Sequence, residues 1–114
     1  MKPHTIELTL CGDTAPSKVH LPYAGCPLGA VKTGGHGYQR WRACHVPTAR
    51  WLGGGTDYAA TRAALFRVIS LAHPEHSAWR SNDPTGVGYA CIRTWVDAWR
   101  GRADVTQPRD LASV

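Results

Sequence analysis

The basic residues of this chain are concentrated in one stretch without acidic residues, where tryptophan and tyrosine lie between them. No aspartate or glutamate occurs between Asp13 and Asp57. The basic side chains of this interval are Lys18, Lys32, Arg40, Arg42 and Arg50. The other eight of the 13 basic residues match the eight acidic residues in number, so the net charge of +5 resides here. Such a stretch fits a polyanion, most simply nucleic acid, although it is also compatible with an ordinary solvated surface.

Residues that could support catalysis are sparse. A metal-dependent nuclease needs clustered carboxylates or a His-Asn-His set. The nearest approximation is His73 and His76 with Asn82 and Asp83, and Pro74 interrupts the helix that would present both histidines on one face. A cysteine nucleophile with a histidine base stays open, but the sequence singles none out. We therefore expect no enzyme activity and no cofactor.

The cysteines are scattered without a CxxC pair, at Cys11, Cys26, Cys44 and Cys91. A zinc site could add His20, His36 or His45, but no pair of ligands has the short spacing of structural sites, so we predict no metal. The opening residues lack the apolar core and cleavage site of a signal peptide. We therefore expect free thiols, a cytoplasmic location and no membrane contact.

Alternating side chains predict the strands that carry the basic residues. Residues 5–10 and 19–23 form a predicted hairpin, which either extends the following sheet or makes a small second layer. Residues 28–32, 39–46 and a short strand at Trp51 and Leu52 form a predicted three-stranded antiparallel sheet. The glycine-rich residues 33–37 are predicted as a hairpin turn with His36 at its tip.

Two helices follow. The first is Ala-rich and is predicted to begin near Tyr58, with Thr56 as its cap and Asp57 in its first turn, and to stop at His73 and Pro74. Residues 74–88 form a long connection that Trp79 anchors in the core.

The second helix is predicted over residues 89–100. Its apolar stripe either packs on the domain or makes a homodimer or partner surface, through Ile92, Trp95, Val96 and Trp99. The fold class is α+β: one domain over residues 1–101, in which a small sheet packs on the Ala-rich helix, and a loose tail over residues 102–114.

A resemblance to a known family covers residues 28–73. In this region the sequence has LGAV at 28–31, WRACHV at 41–46 and RWLG at 50–53, followed by a Thr and an Ala-rich helix. This pattern resembles the AP2-type DNA-binding domain. That family includes plant transcription factors, some phage homing endonucleases and related integrase arm domains. Gly55 stands where the family usually has an aromatic residue, and His45 stands where it has an aliphatic one.

The resemblance implies roles for individual residues. Trp41 and Ala43 would lie under the helix, while Arg40 and Arg42 would face outward and enter the major groove of DNA. Trp51 would lie beside the arginines and touch sugar or base methyl groups, unless it is a core residue. Lys32 would anchor the phosphates together with the arginines. Independently of the resemblance, we expect Lys18, His36 and Arg50 to add phosphate contacts at the rim. Arg50 has the opposite parity from Trp51, so it would reach a phosphate only at the edge or be merely solvated.

We therefore expect a small protein that binds duplex DNA and that is encoded by a phage or mobile element. The alternative is a phage inhibitor or adaptor of the anti-CRISPR kind, which would bind a host protein complex through the same arginine and tryptophan residues.

Overall fold

The residues that the structure describes form an α+β fold with a five-stranded antiparallel sheet and two helices. The computed structural model describes residues 2–33, 40–52, 58–80 and 89–100. The strands are β1 (His4–Leu8), β2 (Ser17–Leu21), β3 (Leu28–Thr33), β4 (Arg40–His45) and β5 (Arg50–Trp51). The helices are α1 (Arg62–Leu71) and α2 (Tyr89–Arg100), with a short 3₁₀ helix (Ser77–Arg80) between them. The predicted fold class is confirmed.

The strands lie in the sheet in their sequence order, each antiparallel to the next. Ile6 lies opposite Val19 in the predicted N-terminal hairpin, which is confirmed. His20 of β2 lies opposite Ala30 of β3, so the hairpin extends the sheet and does not form a second layer. The predicted turn at residues 33–37 falls almost entirely outside the described residues.

Both faces of the sheet are buried near its centre. Residues that lie directly opposite each other share a face, so the register separates the buried side chains into two groups. One face carries Leu28, Ala30, Ala43 and His45, and α1 packs on it through Leu65, Val68 and Ile69. The opposite face carries Val19, Leu21, Val31 and Cys44.

The sheet curls, and this closes the second face at one end. The backbone N–H of Cys11, beyond β1, donates to the carbonyl oxygen of Ala49, just before β5, at 2.7 Å. Because β1 and β5 are the two edge strands, this bond joins the two edges of the sheet. Leu10 is buried at the junction. The curl therefore lets a 114-residue chain bury apolar side chains on both sides of one sheet.

Gly29 allows β2 and β3 to curve tightly. A Cβ atom at this position would collide with Cγ1 of Val19 and would lie 2.8 Å from Cδ2 of Leu21. Both side chains belong to the buried second face. A glycine is therefore needed here for the side chains of the neighbouring strand to pass over the backbone.

Helix α1 begins later than the sequence suggested. Its N-cap is Thr61, whose hydroxyl accepts from the N–H of Ala64 at 3.0 Å. The expected start at Tyr58 is wrong because Ala59 exchanges two backbone hydrogen bonds with Trp41 and so continues the sheet. The predicted cap residues Thr56 and Asp57 lie outside the described residues. The end of α1 was predicted correctly: the helix stops at Leu71.

The 3₁₀ helix is held to the core by Trp79, as predicted. The indole N–H of Trp79 donates to the carbonyl oxygen of Ala72 at 2.9 Å, and only 1% of the residue is exposed. Its carbonyl oxygen accepts from Nε2 of His45. These bonds tie the connection after α1 to the end of β4.

Helix α2 has the predicted bounds and packs on α1. Trp95 and Trp99 are buried, with ring centres 6.0 Å apart. The predicted stripe is shifted, because Ile92 is 38% exposed and Cys91 and Ala98 are buried in its place. Because Trp95 and Trp99 are buried, a homodimer contact through this stripe would not include them. In the part of the chain that the structure describes, no helix is long and apolar enough to cross a membrane.

Candidate nucleic-acid interface

The side chain of Arg42 stacks on the ring of Trp51. Cys44 of β4 lies opposite Trp51 of β5, so Arg42, two residues before Cys44, projects from the same face as a diagonal neighbour. The guanidinium carbon of Arg42 lies 4.6 Å from the centre of the Trp51 ring. The predicted placement of Trp51 beside the arginines is therefore observed, and the next residue, Leu52, is buried.

A second stack of the same kind lies next to the first. The bridge between Trp41 and Ala59 brings Tyr58 alongside β4. The guanidinium carbon of Arg40 lies 4.4 Å from the centre of the Tyr58 ring. We call the surface formed by Arg40, Arg42, Trp51 and Tyr58 the arginine face.

The arginine face is cationic and partly buried. All four of its residues are half-buried. The Nε atom of Arg42 is buried and has no hydrogen-bond partner among the residues that the structure describes. Stacking engages the plane of a guanidinium group, whereas its N–H donors point outward within that plane. Apart from the buried Nε atom, the terminal N–H groups of Arg42 can therefore donate to phosphate oxygens or to the edge of a guanine base while its plane is stacked.

The other predicted contact residues do not lie on this face. Lys32 is opposite Trp41 and Arg50 is opposite His45, which places both on the face that α1 covers in part. Lys18 is opposite Glu7 on that same face. The expectation that Lys32 joins the arginines is therefore wrong in geometry, since one residue of register reverses the direction of a side chain. The prediction that Arg50 and Trp51 project from opposite faces of the sheet is confirmed.

His36 lies outside the described residues. Sequence reasoning also missed Tyr58, because the run from Tyr58 into the alanines has the periodicity of a helix. The pairing of Ala59 with Trp41 is a long-range contact, and no local pattern announces it.

The resemblance implied that Trp41 and Ala43 lie under the helix. Ala43 is buried there, but Trp41 is not wholly covered. Trp41 is half-buried, and its ring meets that of His20 edge to face, with 5.4 Å between ring centres. Burial, and then the charges of Arg62 and Lys18, hold the pKa of His20 below its usual value. On this side of the sheet, a second group of cations, Lys18 and Arg62, therefore lies near the ring pair of His20 and Trp41.

The thiols are unpaired, as predicted, and three of the four are buried. Burial raises the pKa of the Cys44 thiol to about 12 and also raises the pKa of Cys26 and of Cys91. Such thiols are poor nucleophiles at neutral pH. Within the described ranges, no three histidine, cysteine or acidic side chains are grouped closely enough to hold a metal ion.

Comparison with known proteins gives no relative: no family model, curated protein or solved structure matches the chain. The resemblance to the AP2-type domain therefore stays a hypothesis. The features that bear on function are the geometry of the two arginine stacks and the distribution of charge.

Proposed function

We propose that this protein binds nucleic acid, with duplex DNA as the favoured form, through the arginine face. The observation that carries the proposal is the pair of adjacent stacks, Arg42 on Trp51 and Arg40 on Tyr58. Both arginines belong to a strand within the interval that has no acidic residue. A cationic surface of this kind matches the charge of a nucleic-acid backbone.

Stacking favours binding in two ways. A guanidinium group that rests on a ring has lost part of its conformational freedom before the ligand arrives, so less entropy is lost on binding. The ring also attracts the cation, by about 0.5–1 kcal/mol at an exposed site, which holds the arginine in place between encounters. The terminal N–H groups of Arg42 can then donate to phosphates or to guanine in the major groove, and the positive charge of Arg40 adds attraction for the phosphates.

Fluorescence anisotropy of a labelled random-sequence duplex, titrated with the protein at two salt concentrations, tests the proposal. Phosphate contacts by the two arginines of this face predict a log-log salt slope of roughly −2. The Arg40→Ala/Arg42→Ala variant is expected to lose most of the affinity and about two units of slope. The matched control is Arg93→Ala/Arg100→Ala, which removes the same charge from α2. Equal losses in both variants would mean that only net charge matters, and the proposal would fail.

The alternative is a protein partner, such as a host complex that a phage inhibitor or adaptor binds. Two exposed apolar side chains favour it, Leu71 on α1 at 43% exposure and Ile92 on α2 at 38%. Tryptophan and arginine are also frequent hot-spot residues in protein interfaces. If well-folded protein fails to bind duplex at low salt, this alternative becomes the better account.

A further inference from the structure

A second cationic surface lies on the side of the sheet that α1 partly covers, facing away from the arginine face. Lys32 lies directly opposite Trp41, and His20 lies opposite Ala30. Continuing the second pairing by two residues places Lys18 opposite Lys32. Arg62, the first residue of α1, is close enough for its charge to act on His20. We call the surface formed by Lys18, His20, Lys32, Trp41 and Arg62 the lysine face.

The charges on the lysine face oppose one another. Like charges opposite each other on neighbouring strands are destabilising, and the pairing of His20 with Ala30, extended by two residues, brings Lys18 and Lys32 into this relationship. Arg62 adds a positive charge at the start of α1, where the helix dipole disfavours it, and the first turn of α1 contains no acidic residue. Among the five strands the only carboxylate is that of Glu7, opposite Lys18. One carboxylate against three permanent cations leaves this surface with excess positive charge.

The lysine face also offers an aromatic surface beside its cations. Trp41 is half-buried, and its ring is held by the edge-to-face contact with His20. Lys18, Lys32 and Arg62 are exposed. A half-buried ring flanked by exposed cations suits the sugar-phosphate backbone of a nucleic acid better than it suits an apolar protein surface.

We propose that the lysine face binds a second segment of nucleic acid, so that one protein molecule bridges two duplexes. This inference rests on the proposed function of the arginine face. Neighbouring residues on a strand point to opposite sides of the sheet, so Arg40 and Arg42 project away from Trp41. A duplex that lies against one surface therefore leaves the other uncovered, and simultaneous contact requires a second segment.

A capture assay with two duplexes tests bridging. One random-sequence duplex is fixed to beads, a second carries a fluorophore, and the fluorescence retained by the beads is measured after the protein is added. Wild-type protein is expected to retain the second duplex. The Lys18→Ala/Lys32→Ala variant is expected to bind the first duplex normally and to retain roughly tenfold less of the second, because two phosphate contacts are lost.

The outcomes separate the two proposals. If the wild-type protein binds no duplex at all, the proposed function fails and the inference fails with it. If it binds one duplex but captures no second one, the inference is overturned and the proposed function stands. Capture that persists unchanged in Lys18→Ala/Lys32→Ala would come from self-association of the protein and would also overturn the inference.

NMR of His20 provides a readout at the site itself. In the Arg40→Ala/Arg42→Ala background, addition of the duplex is expected to raise the pKa of His20, because phosphate charge offsets that of Lys18 and Arg62. Glu7 lies on the same face, opposite Lys18, with and without the duplex. A His20 titration that the duplex leaves unchanged, measured while the fold is intact, would contradict the inference.

Discussion

The guanidinium carbon of Arg42 lies 4.6 Å from the centre of the Trp51 ring, on the sheet face opposite to that covered by α1. The two residues come from neighbouring strands, so the stack exists only when β4 and β5 pair in this register. Arg40 makes the equivalent stack on Tyr58, which comes from the segment before α1. The candidate site is therefore a product of the fold rather than of a local motif.

The planar shape of Arg42 is expected to matter as well as its charge. Arg42→Lys keeps the charge but loses the flat group that stacks on Trp51 and donates through two N–H groups at once. We expect duplex affinity to fall several-fold, corresponding to about 1 kcal/mol, with the salt slope nearly unchanged. The matched control is Arg93→Lys, at an exposed position of α2. An Arg42→Lys protein that binds as tightly as wild type would refute the role of the stack.

The sequence predicted one stack better than the other. Arg42 and Trp51 could be placed on one face because the alternation of side chains along β4 and the short following strand fixes their parity. Tyr58 could not be placed, since its local sequence favours a helix and the pairing of Ala59 with Trp41 decides otherwise. Long-range pairing overrode local propensity at this point.

The start of α1 gives a stability test. Thr61→Ala removes the side chain that accepts from the N–H of Ala64 and is expected to lower the free energy of unfolding by about 1 kcal/mol. Thr56→Ala, at the cap position that the sequence suggested, is the comparison. Urea unfolding of the two variants measures the difference. A larger loss in Thr56→Ala than in Thr61→Ala would show that the cap has been assigned to the wrong residue.

His45 is expected to make the protein less stable in acid. Its Nε2–H donates to the carbonyl oxygen of Trp79 at 2.5 Å, so in the neutral ring Nδ1 accepts from the hydroxyl of Thr48 at 2.8 Å. Burial lowers the pKa of His45, an effect that the bond to Trp79 only partly offsets. The unfolded chain therefore binds the proton more readily, and stability falls as the pH drops below the ordinary histidine pKa of 6.5.

Urea unfolding at about pH 8 and at about pH 5 measures this loss of stability. His45→Gln retains a donor and an acceptor but cannot take up the proton, so its stability is expected to change less between the two conditions. A smaller pH dependence remains in that variant, because the pKa of His20 is lowered as well. An identical pH dependence in wild type and His45→Gln would rule out this role for His45.

Thiol labelling checks the burial of the core. Cys11 is exposed, whereas Cys26, Cys44 and Cys91 are buried with raised pKa values. We expect a disulfide reagent to modify one thiol quickly in the native protein and all four after unfolding. Cys11→Ser is expected to abolish the fast reaction. Fast labelling that persists in Cys11→Ser would show that one of the three other thiols is accessible.

The division of the basic residues into two surfaces was beyond the reach of the sequence. The charge pattern located the excess between Asp13 and Asp57, and it treated the cations there as one group. The pairing of Lys32 with Trp41 sets Lys32 on the opposite side from Arg40 and Arg42. A shift of one residue would have reversed this result, and composition does not reveal the register.

NMR of the arginine Nε–H groups tests the central claim most directly. The signals of Arg40 and Arg42, assigned with single Arg→Lys variants, are followed while a short random-sequence duplex is added. The account predicts that both signals shift as the duplex binds, while those of Arg93 and Arg100 on α2 stay in place. A duplex that binds without moving the Arg40 and Arg42 signals, or that moves only those of α2, would contradict the claim that the arginine face is the binding surface.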